Sequence, residues 1–393
     1  MRKVLHIIPG YGGGISSIVR NLALHSTGDV KNDVAGFSAY PVFFLDEMKN
    51  KGNSTFVLPP VHRGSIWKSI CAYKKILDEG HYDLVHIHVR ENQFLYFAVL
   101  SKLFGVKRIV AHAHIADSER MSSRFYRTML HFWRWCTCLL ATDLASCSRM
   151  ATEFVFGKGI LEKRNVMHIP NGVEIEKYRV DVSDYKRELM NEIGSDGNEL
   201  IIGNVGYLGY QKNHPFMIAI AENLQKRGIR FKMLFVGHGW AEKELKTLVE
   251  EKGLTNEICF LGRRDNIHYL YKCFDLALLP SFFEGLPTVA VESQAAGVQM
   301  LLSDTITKEV DLDLGLLNYY SLDNDVDAWV DRLLELRRTV AVERRDIEKR
   351  FRERNFTSDS AADLYGMFVR GDLLDYTLGT AIEKKQVGEM KNE

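Results

Sequence analysis

Both halves of the chain begin with the same arrangement, an apolar run that leads through a glycine-rich turn into a helical stretch. The runs cover 3–8 and 200–205, and the turns that follow them lie at 10–14 and 206–209. A strand that enters a helix through a glycine turn is the building unit of a parallel sheet covered by helices. Since 393 residues exceed the size of one ordinary hydrophobic core, we expect an α/β fold with two Rossmann-like domains.

The rest of the chain alternates between strand-like and helical stretches, as in parallel sheets that are covered on both faces. Strands are predicted at 3–8, 33–37, 83–87, 108–113, 200–205, 231–236, 257–261, 275–279 and 299–303. Helices are predicted near 15–26, 66–79, 91–104, 122–141, 214–227, 240–252, 265–272, 287–296, 325–338 and 357–370.

The domain boundary is predicted near the turn Asn171-Gly172, where a charged segment without periodicity follows. The first domain then covers 1–174 and the second 175–355, and the remainder, 356–393, holds one helix and a polar tail.

Composition excludes several classes of protein. Lys plus Arg number 51 and Asp plus Glu also number 51, so no overall field favours nucleic-acid binding. The apolar run after Met1-Arg-Lys is too short for a signal peptide, and no run approaches the length of a membrane span. Six scattered cysteines include no C-x-x-C pair and suit reduced thiols. We expect a cytoplasmic protein.

The segment 281–292 carries the clearest chemical signal. Glu284 and Glu292 lie eight residues apart in it, after the apolar strand at 275–279 and around the start of the helix at 287–296. That junction lies at the carboxyl edge of a parallel sheet, where ligands bind and where helix N–H groups are free. Two carboxylates beside a turn rich in donors suit a ligand with many hydroxyl groups.

These residues resemble the E-x7-E signature of retaining, nucleotide-sugar-dependent glycosyltransferases of family 4. Similar family segments occur in the expected order at 4–22, 170–178, 202–214, 234–239 and 258–263. The resemblance is greatest to the branch that builds bacterial capsular and exopolysaccharides. It implies the GT-B fold, two Rossmann-like domains facing across a cleft. The first would bind the acceptor and the second the nucleotide sugar, and the helix in 356–393 would cross back to the first domain.

A nucleotide-sugar donor brings a diphosphate whose negative charge grows as the glycosidic bond breaks. The resemblance implies that Lys212, the N–H groups of Gly13 and Gly14 and the helix after them meet this charge. The pairs Asp311-Leu-Asp313 and Asp325-Val-Asp327 have the spacing of a metal-binding D-x-D motif. They lie late in the chain and outside a strand with a glycine loop, so we interpret them as loop and helix-cap residues. We expect neither a metal nor a cofactor.

The resemblance also implies the donor contacts. Glu284 would bind the 3- or 4-hydroxyl of the transferred sugar, supported by backbone N–H groups around Gly285, Leu286 and Thr288. Pro287 has no N–H to give. Glu292 would accept from the ribose hydroxyls.

One position departs from the family pattern. Tyr207 stands where the family usually has Arg, so either Lys212 acts alone, with Arg263 or Arg264 compensating, or the diphosphate is held more weakly.

Two H-x-H pairs end neighbouring predicted strands, His86 with His88 and His112 with His114. Within each pair the side chains point to the same side of the strand. The plain interpretation is that these histidines lie at strand ends with their hydrogen bonds satisfied. The alternative is a zinc site, for which no carboxylate or thiolate ligand is evident. The family has a functional His at a matching strand end, which the resemblance carries over to His114, or failing that to His112.

A basic helix rich in aromatic residues is predicted within 122–141. In the segment 118–135, aromatic residues alternate with Arg120, Arg124, Arg127 and Arg134, a pattern that suits either an anionic membrane surface or a core helix with its arginines in solvent.

From the resemblance we expect a retaining, metal-independent glycosyltransferase that uses a UDP-sugar. The acceptor would be a glycan or a polyprenyl-diphosphate-linked sugar, and the enzyme would lie in the cytoplasm or on the inner face of the cell membrane. The alternatives are a non-hydrolysing UDP-sugar 2-epimerase of the same fold, a dinucleotide-dependent oxidoreductase and a glycan-binding module without activity.

Overall fold

The structure is a computed structural model that describes residues 1–61, 64–89, 91–114, 124–337 and 342–372, with side chains from Thr128 onward in the segment that begins at 124. The chain divides into two compact units. The first joins residues 1–172 to the segment that begins at Asn355, and the second covers Val173–Arg354. The first division, after residue 172, lies two residues before the predicted limit at 174. The second, after residue 354, lies one residue before the predicted limit at 355.

The first unit is built on a parallel sheet with strand order β3-β2-β1-β4-β5-β6-β7 among the described residues. Its strands are β1 (Arg2–Ile7), β2 (Val30–Gly36), β3 (Thr55–Val57), β4 (Leu84–Ile87), β5 (Arg108–Ala113), β6 (Asp143–Ser146) and β7 (Val166–His168). The helices that accompany them are α1 (Gly14–His25), α2 (Val42–Asn50), α3 (Ile66–Gly80), α4 (Glu91–Leu103), α5 (Arg124–Leu140) and α6 (Arg149–Phe156).

The second unit repeats the architecture with strand order β10-β9-β8-β11-β12-β13, again parallel throughout. Its strands are β8 (Leu200–Val205), β9 (Phe231–Val236), β10 (Ile258–Gly262), β11 (Leu276–Leu279), β12 (Met300–Ser303) and β13 (Leu317–Tyr320). Its helices are α7 (Ser183–Glu192), α8 (His214–Lys226), α9 (Glu242–Glu251), α10 (Ile267–Tyr271), α11 (Thr288–Ala296), α12 (Val326–Leu336) and α13 (Arg344–Glu353). The α/β class and the two Rossmann-like units predicted from the sequence are therefore confirmed.

The last described helix, α14 (Ser358–Arg370), belongs to the first unit although it follows the whole of the second. Tyr365 is fully buried in the apolar core that α14 shares with α1. The guanidinium of Arg108 in β5 donates to the carbonyl oxygens of Val369 at 2.8 Å and Phe368 at 3.3 Å. These contacts fasten the end of α14 to the first sheet.

The nine predicted strands and ten predicted helices all overlap observed elements. Among the described residues, helices α2, α6, α7 and α13 and four strands were not predicted. Two of them, β3 and β7, have only three residues and lie at the two edges of the first sheet. The sequence of β6 is Asp-Leu-Ala-Ser, which lacks the β-branched and aromatic residues typical of strands. Short edge strands and weakly patterned ones are held by their neighbours rather than by their own sequence.

Candidate active site

In the second unit, the loops that follow β8 and β11 lie side by side because these two strands are hydrogen-bonded neighbours. Lys212, from the first loop, donates from Nζ to Oε1 of Glu284 in the second loop at 2.8 Å. Gln211 donates from Nε2 to the other carboxylate oxygen, Oε2, at 2.9 Å. The side chains are shielded, since Lys212 is only 8% exposed and Glu284 only 6%. Both oxygens of this buried carboxylate therefore have partners.

Glycine allows the close approach that this arrangement needs. A Cβ atom at Gly206 would lie 2.7 Å from Cε of Lys212, so any side chain there would displace the lysine. A Cβ atom at Gly237 would lie 1.9 Å from the carbonyl oxygen of Gly206. The Gly-His-Gly segment after β9 thus packs backbone against backbone on the loop that carries Lys212.

Glu292 lies in α11 in a different environment. Burial raises the pKa of its carboxyl from the ordinary 4.5 to about 7, although a hydrogen bond from Tyr271 and the charge of Lys212 act in the opposite direction. The two glutamates of the E-x7-E pattern therefore differ. Glu284 is paired with a cation, whereas Glu292 is held among groups that do not fully replace water.

The start of α11 matches the prediction from Pro287 and Gly297. Pro287 is the N-cap residue of the helix, and Gly297 ends it in the left-handed conformation at φ 73°. Leu286 is buried. Gly285, Leu286 and Thr288 therefore stand at the helix N-terminus, next in sequence to Glu284.

Tyr207, which stands in place of the family arginine, and the two arginines that could compensate for it have different surroundings. Tyr207 is 52% exposed and packs edge-on against His238, with ring centroids 5.8 Å apart. Arg264 is engaged by Glu192 and by the carbonyl oxygen of Leu261 at 3.1 Å. Arg263 lies 3.9 Å from Asp265. The ion pair of Arg263 with Asp265 is longer than that of Arg264 with Glu192.

The aspartates of the D-x-D pairs form contacts within the protein. Asp325 caps α12 by accepting from the N–H of Ala328 at 2.8 Å. Asp327 accepts from Arg227 at 2.8 Å. Asp313 has a left-handed backbone and pairs with Arg354.

In the first unit, Gly13 and Gly14 form the start of α1. Gly13 is the N-cap residue at φ 83°, a conformation that glycine adopts at little cost. The turn is fixed by Ser16, whose Oγ accepts from the N–H of Gly12 at 2.9 Å and donates to the carbonyl oxygen of Gly13 at 3.0 Å.

Five histidines meet at the carboxyl ends of β1, β4 and β5. The two H-x-H pairs converge, and His6 of β1 joins them, hydrogen-bonded to His88 with Nδ1 and Nε2 3.0 Å apart. Nδ1 of His88 lies 2.7 Å from Nε2 of His114. Nε2 of His86 lies 3.1 Å from Nδ1 of His112. The sequence analysis missed His6, although its place in the strand next to β4 could have indicated it.

The spacing of these nitrogens bears on the zinc alternative. The histidines form two groups of three, His6 with His86 and His88, and His88 with His112 and His114, whose nitrogens lie within 4.8 Å of one another. However, the contacts of 2.7 to 3.1 Å are hydrogen-bond distances. They are shorter than the separation of about 3.3 Å that two nitrogens have on a tetrahedral zinc ion with Zn–N of about 2.0 Å. The cluster is arranged as hydrogen-bonded imidazoles.

Burial keeps this cluster neutral. It lowers the pKa of His6 to about 4 and that of His114 to about 3. Burial, together with the neighbouring histidines, also places the pKa values of His86, His88 and His112 well below 6.5. At neutral pH each ring therefore carries one N–H and one lone pair.

Of the basic aromatic helix, the structure describes the backbone of α5 and the side chains from Thr128 on. Arg120 and the side chains of Arg124 and Arg127 lie outside the described residues. Phe132, Trp135 and Leu139 are 47%, 62% and 60% exposed and share one face of α5. In the described residues, no helix is both long enough and apolar enough to cross a membrane.

Comparison with known proteins gives the family. Residues 12–177 match the model of Glycosyltransferase Family 4, and residues 185–336 match that of Glycosyl transferases group 1. EpsF of Bacillus subtilis (strain 168), a protein named as a glycosyltransferase, is 30% identical over 335 residues, which cover 84% of this chain and 87% of EpsF. The chain belongs to glycosyltransferase family 4.

Two further comparisons concern a second relative and a solved structure. The UDP-Gal:α-D-GlcNAc-diphosphoundecaprenol α-1,3-galactosyltransferase of Escherichia coli is 25% identical over 278 residues, 68% of this chain and 70% of that enzyme. The crystal structure of Anabaena HepE in complex with UDP superposes with a TM-score of 0.72 at 18% identity, over 94% of this chain and all of HepE. The GT-B fold expected from the sequence is thereby confirmed, and the protein is a glycosyltransferase.

Proposed function

We propose that this family 4 glycosyltransferase moves a sugar from a UDP-sugar to a hydroxyl group of a lipid-linked or growing glycan during synthesis of a bacterial surface polysaccharide, with retention of configuration. The observation that carries the proposal is the buried pair of Lys212 and Glu284 at the carboxyl edge of the second sheet. Binding of UDP by HepE supports the choice of nucleotide. The diphosphoundecaprenol acceptor in the name of the Escherichia coli relative supports a lipid-linked acceptor.

The roles of the second-unit residues follow from their chemistry. Lys212 provides a positive charge for the diphosphate, and Glu284 accepts from hydroxyl groups of the transferred sugar. Binding the diphosphate draws Lys212 toward a second anion, and Gln211 continues to hold the far oxygen of Glu284. Glu292 accepts from the ribose hydroxyls. Arg263 is the residue that we propose as the substitute for the family arginine.

The first unit provides the N–H groups of Gly13 and Gly14 and the imidazole of His114, as the family resemblance implies. In the proposed step, the bond between the anomeric carbon and the diphosphate oxygen breaks and a bond to the acceptor oxygen forms on the same face. The proton of the acceptor hydroxyl passes to the leaving diphosphate. No metal takes part in this scheme, because Lys212 and helix N-termini meet the charge.

We also propose that α5 binds an anionic membrane surface from the cytoplasmic side. Its exposed face of Phe132, Trp135 and Leu139 follows directly on the basic segment that contains Arg120, Arg124 and Arg127. Aromatic side chains beside basic ones favour the boundary between lipid headgroups and acyl chains. This surface would bring the enzyme to a polyprenyl-linked acceptor.

A donor screen tests the proposal. UDP, several UDP-sugars and, as controls, GDP-mannose and NAD are added to the purified protein, and the melting temperature is measured. A ligand that binds only the folded state raises that temperature by mass action. The proposal expects a shift with UDP and with one UDP-sugar, and slow hydrolysis of that sugar nucleotide. A shift with NAD alone would favour the oxidoreductase instead.

The epimerase alternative is separated by its product. An epimerase converts the UDP-sugar to its 2-epimer without any acceptor, which proton NMR of the reaction mixture detects. The proposed transferase releases UDP in step with glycosylation of an added acceptor, and formation of the epimer without UDP would contradict it.

A further inference from the structure

The histidine cluster contains a row of hydrogen bonds that begins at a side chain with a fixed orientation. Asn32 in β2 donates from Nδ2 to Oγ of Ser26 at 2.9 Å. That hydroxyl donates its only proton to the carbonyl oxygen of Leu22 at 2.6 Å, so toward Asn32 it can only accept. The amide therefore turns its oxygen, Oδ1, toward Nε2 of His6, 3.1 Å away. Since an amide oxygen only accepts, Nε2 of His6 must carry the proton.

The direction of each following bond is then determined. With its proton on Nε2, neutral His6 has a lone pair on Nδ1, which accepts from Nε2 of His88 at 3.0 Å. His88 in turn has its lone pair on Nδ1, which accepts from Nε2 of His114 at 2.7 Å. His114 is left with its lone pair on Nδ1.

The far end of this row is open. Nδ1 of His114 is shielded from solvent and has no hydrogen-bond partner among the described residues. Asn32 and His6 are fully buried and His88 is 2% exposed, so water does not compete for the bonds in between. Rings that are buried and neutral cannot reverse the row by taking up a second proton near neutral pH.

We propose that Asn32, His6 and His88 are positioning residues that fix the tautomer of His114, so that its Nδ1 is always a hydrogen-bond acceptor. This inference rests on the proposed function only in expecting that the acceptor meets a ligand hydroxyl group. A histidine held in this way can accept a hydrogen bond or a proton at Nδ1 and cannot donate from it. His6 lies in β1, Asn32 lies in β2 and His88 directly follows β4, so the property of one strand end is set across the sheet.

A second row in the same cluster provides an internal comparison. The hydroxyl of Tyr365 lies 2.8 Å from Nδ1 of His86, whose Nε2 lies 3.1 Å from Nδ1 of His112. A tyrosine hydroxyl can donate or accept, so this row has no side chain of fixed polarity at its start.

The test is the tautomer itself, measured by nitrogen-15 NMR on protein labelled at histidine and prepared without a nucleotide. Signals are assigned from single His→Asn variants. The expected result is that His6, His88 and His114 all carry their proton on Nε2. A proton on Nδ1 of His114 in the unsubstituted protein would overturn the proposal. So would a spectrum that changes when EDTA is added, because the rings would then be holding a metal ion.

Two variants test the cause. Asn32→Leu removes the oxygen that orients His6, and Ser26→Ala removes the hydroxyl that orients the amide, with less risk to folding. In each, His114 is expected to populate both tautomers. The matched control is His168→Asn, because His168 is a neighbouring histidine whose Nε2 lies 2.9 Å from the carbonyl oxygen of Cys147, outside both rows. If the tautomer of His114 stays the same in a folded Ser26→Ala or Asn32→Leu variant, the proposal fails.

This readout needs no substrate, so it separates two failures. A fixed tautomer in a protein that turns over no UDP-sugar would refute the proposed function alone. A transferase whose His114 exchanges freely between tautomers would refute the positioning role alone.

Discussion

Nζ of Lys212 donates to Oε1 of Glu284 across 2.8 Å, and the pair is buried. Because Gln211 binds the second oxygen, each oxygen of the carboxylate has a partner before any ligand arrives and keeps a lone pair for a ligand hydroxyl group. A buried ion pair loses most when one partner is removed, since the other charge is left without compensation. The site is therefore sensitive to single substitutions in both activity and stability.

Glu284→Gln keeps the size of the side chain and replaces one acceptor oxygen with a donor. We expect turnover to fall by two or more orders of magnitude, about 3 kcal/mol, as when a preorganised polar contact is lost from a transition state. UDP release in the presence of acceptor measures this. Glu222→Gln, a change in a surface ion pair of the same unit, is the control and should keep its activity. Near-normal turnover in Glu284→Gln would exclude this residue from the site.

Lys212→Ala tests the charge that meets the diphosphate. Its activity should be severely reduced, and the uncompensated Glu284 should lower the free energy of unfolding by about 3 kcal/mol in urea denaturation. Lys226→Ala, which breaks only an exposed pair with Glu222, should change stability by less than about 1 kcal/mol.

The same scheme predicts that EDTA leaves the rate of the unsubstituted enzyme almost unchanged. Complete inactivation by EDTA that Mn²⁺ or Mg²⁺ reverses would show that a metal, rather than Lys212, carries the diphosphate charge.

The raised pKa of Glu292 predicts that the stability of the protein depends on pH. Its carboxyl has a pKa of about 7 in the folded protein, above the ordinary 4.5, so the folded state holds the proton more tightly than the unfolded chain does. The stability from this group is fully present below pH 4.5 and is lost as the pH rises through 7. Relative to the native protein, Glu292→Gln should gain roughly 2 to 3 kcal/mol of unfolding free energy between pH 4.5 and 8. Urea denaturation across that range measures the gain, and a constant difference between the two proteins would contradict the raised pKa.

The membrane proposal predicts an effect of charge on α5 and the segment before it. Changing Arg120, Arg124 and Arg127 together to Glu reverses three charges, each worth about 1 kcal/mol near an anionic leaflet. The fraction of the protein that sediments with anionic vesicles should fall sharply, while hydrolysis of the soluble donor persists.

The control for this prediction changes three exposed lysines elsewhere, Lys75, Lys226 and Lys349, to Glu and has the same net charge. If the control loses vesicle binding equally, net charge rather than α5 determines binding. If the arginine variant unfolds, α5 belongs to the core.

Sequence reasoning was strongest where one segment contains both the strand and the turn that follows it. The apolar run before Glu284, Pro287 at the helix start and Gly297 at its end predicted β11 and α11 closely. It also put Lys212 and Glu284 into one site, through the resemblance to family 4. The hydrogen bond between them was not predicted, because it depends on β8 and β11 being neighbours, which is a property of strand order.

The histidine cluster shows more clearly which contacts the sequence alone does not predict. Each H-x-H pair was visible as a local pattern, but His6 lies 80 residues before His86 in the chain, and Asn32 lies in another strand. Which rings touch depends on register, with His6 opposite His86 between β1 and β4. Likewise, Ser26 orients Asn32 only because the end of α1 packs near β2. Such contacts follow from the assembled sheet rather than from any window of sequence.

The position of α14 affects how the protein is made. A ribosome synthesises residues 1–172 first and must then complete all of Val173–Arg354 before Tyr365 emerges to fill its place in the first core. Domains generally fold in the order in which they are made. Here the second unit can finish folding while the first still waits for its last helix. The nascent N-terminal half therefore exposes, throughout that interval, the apolar surface that α14 later covers.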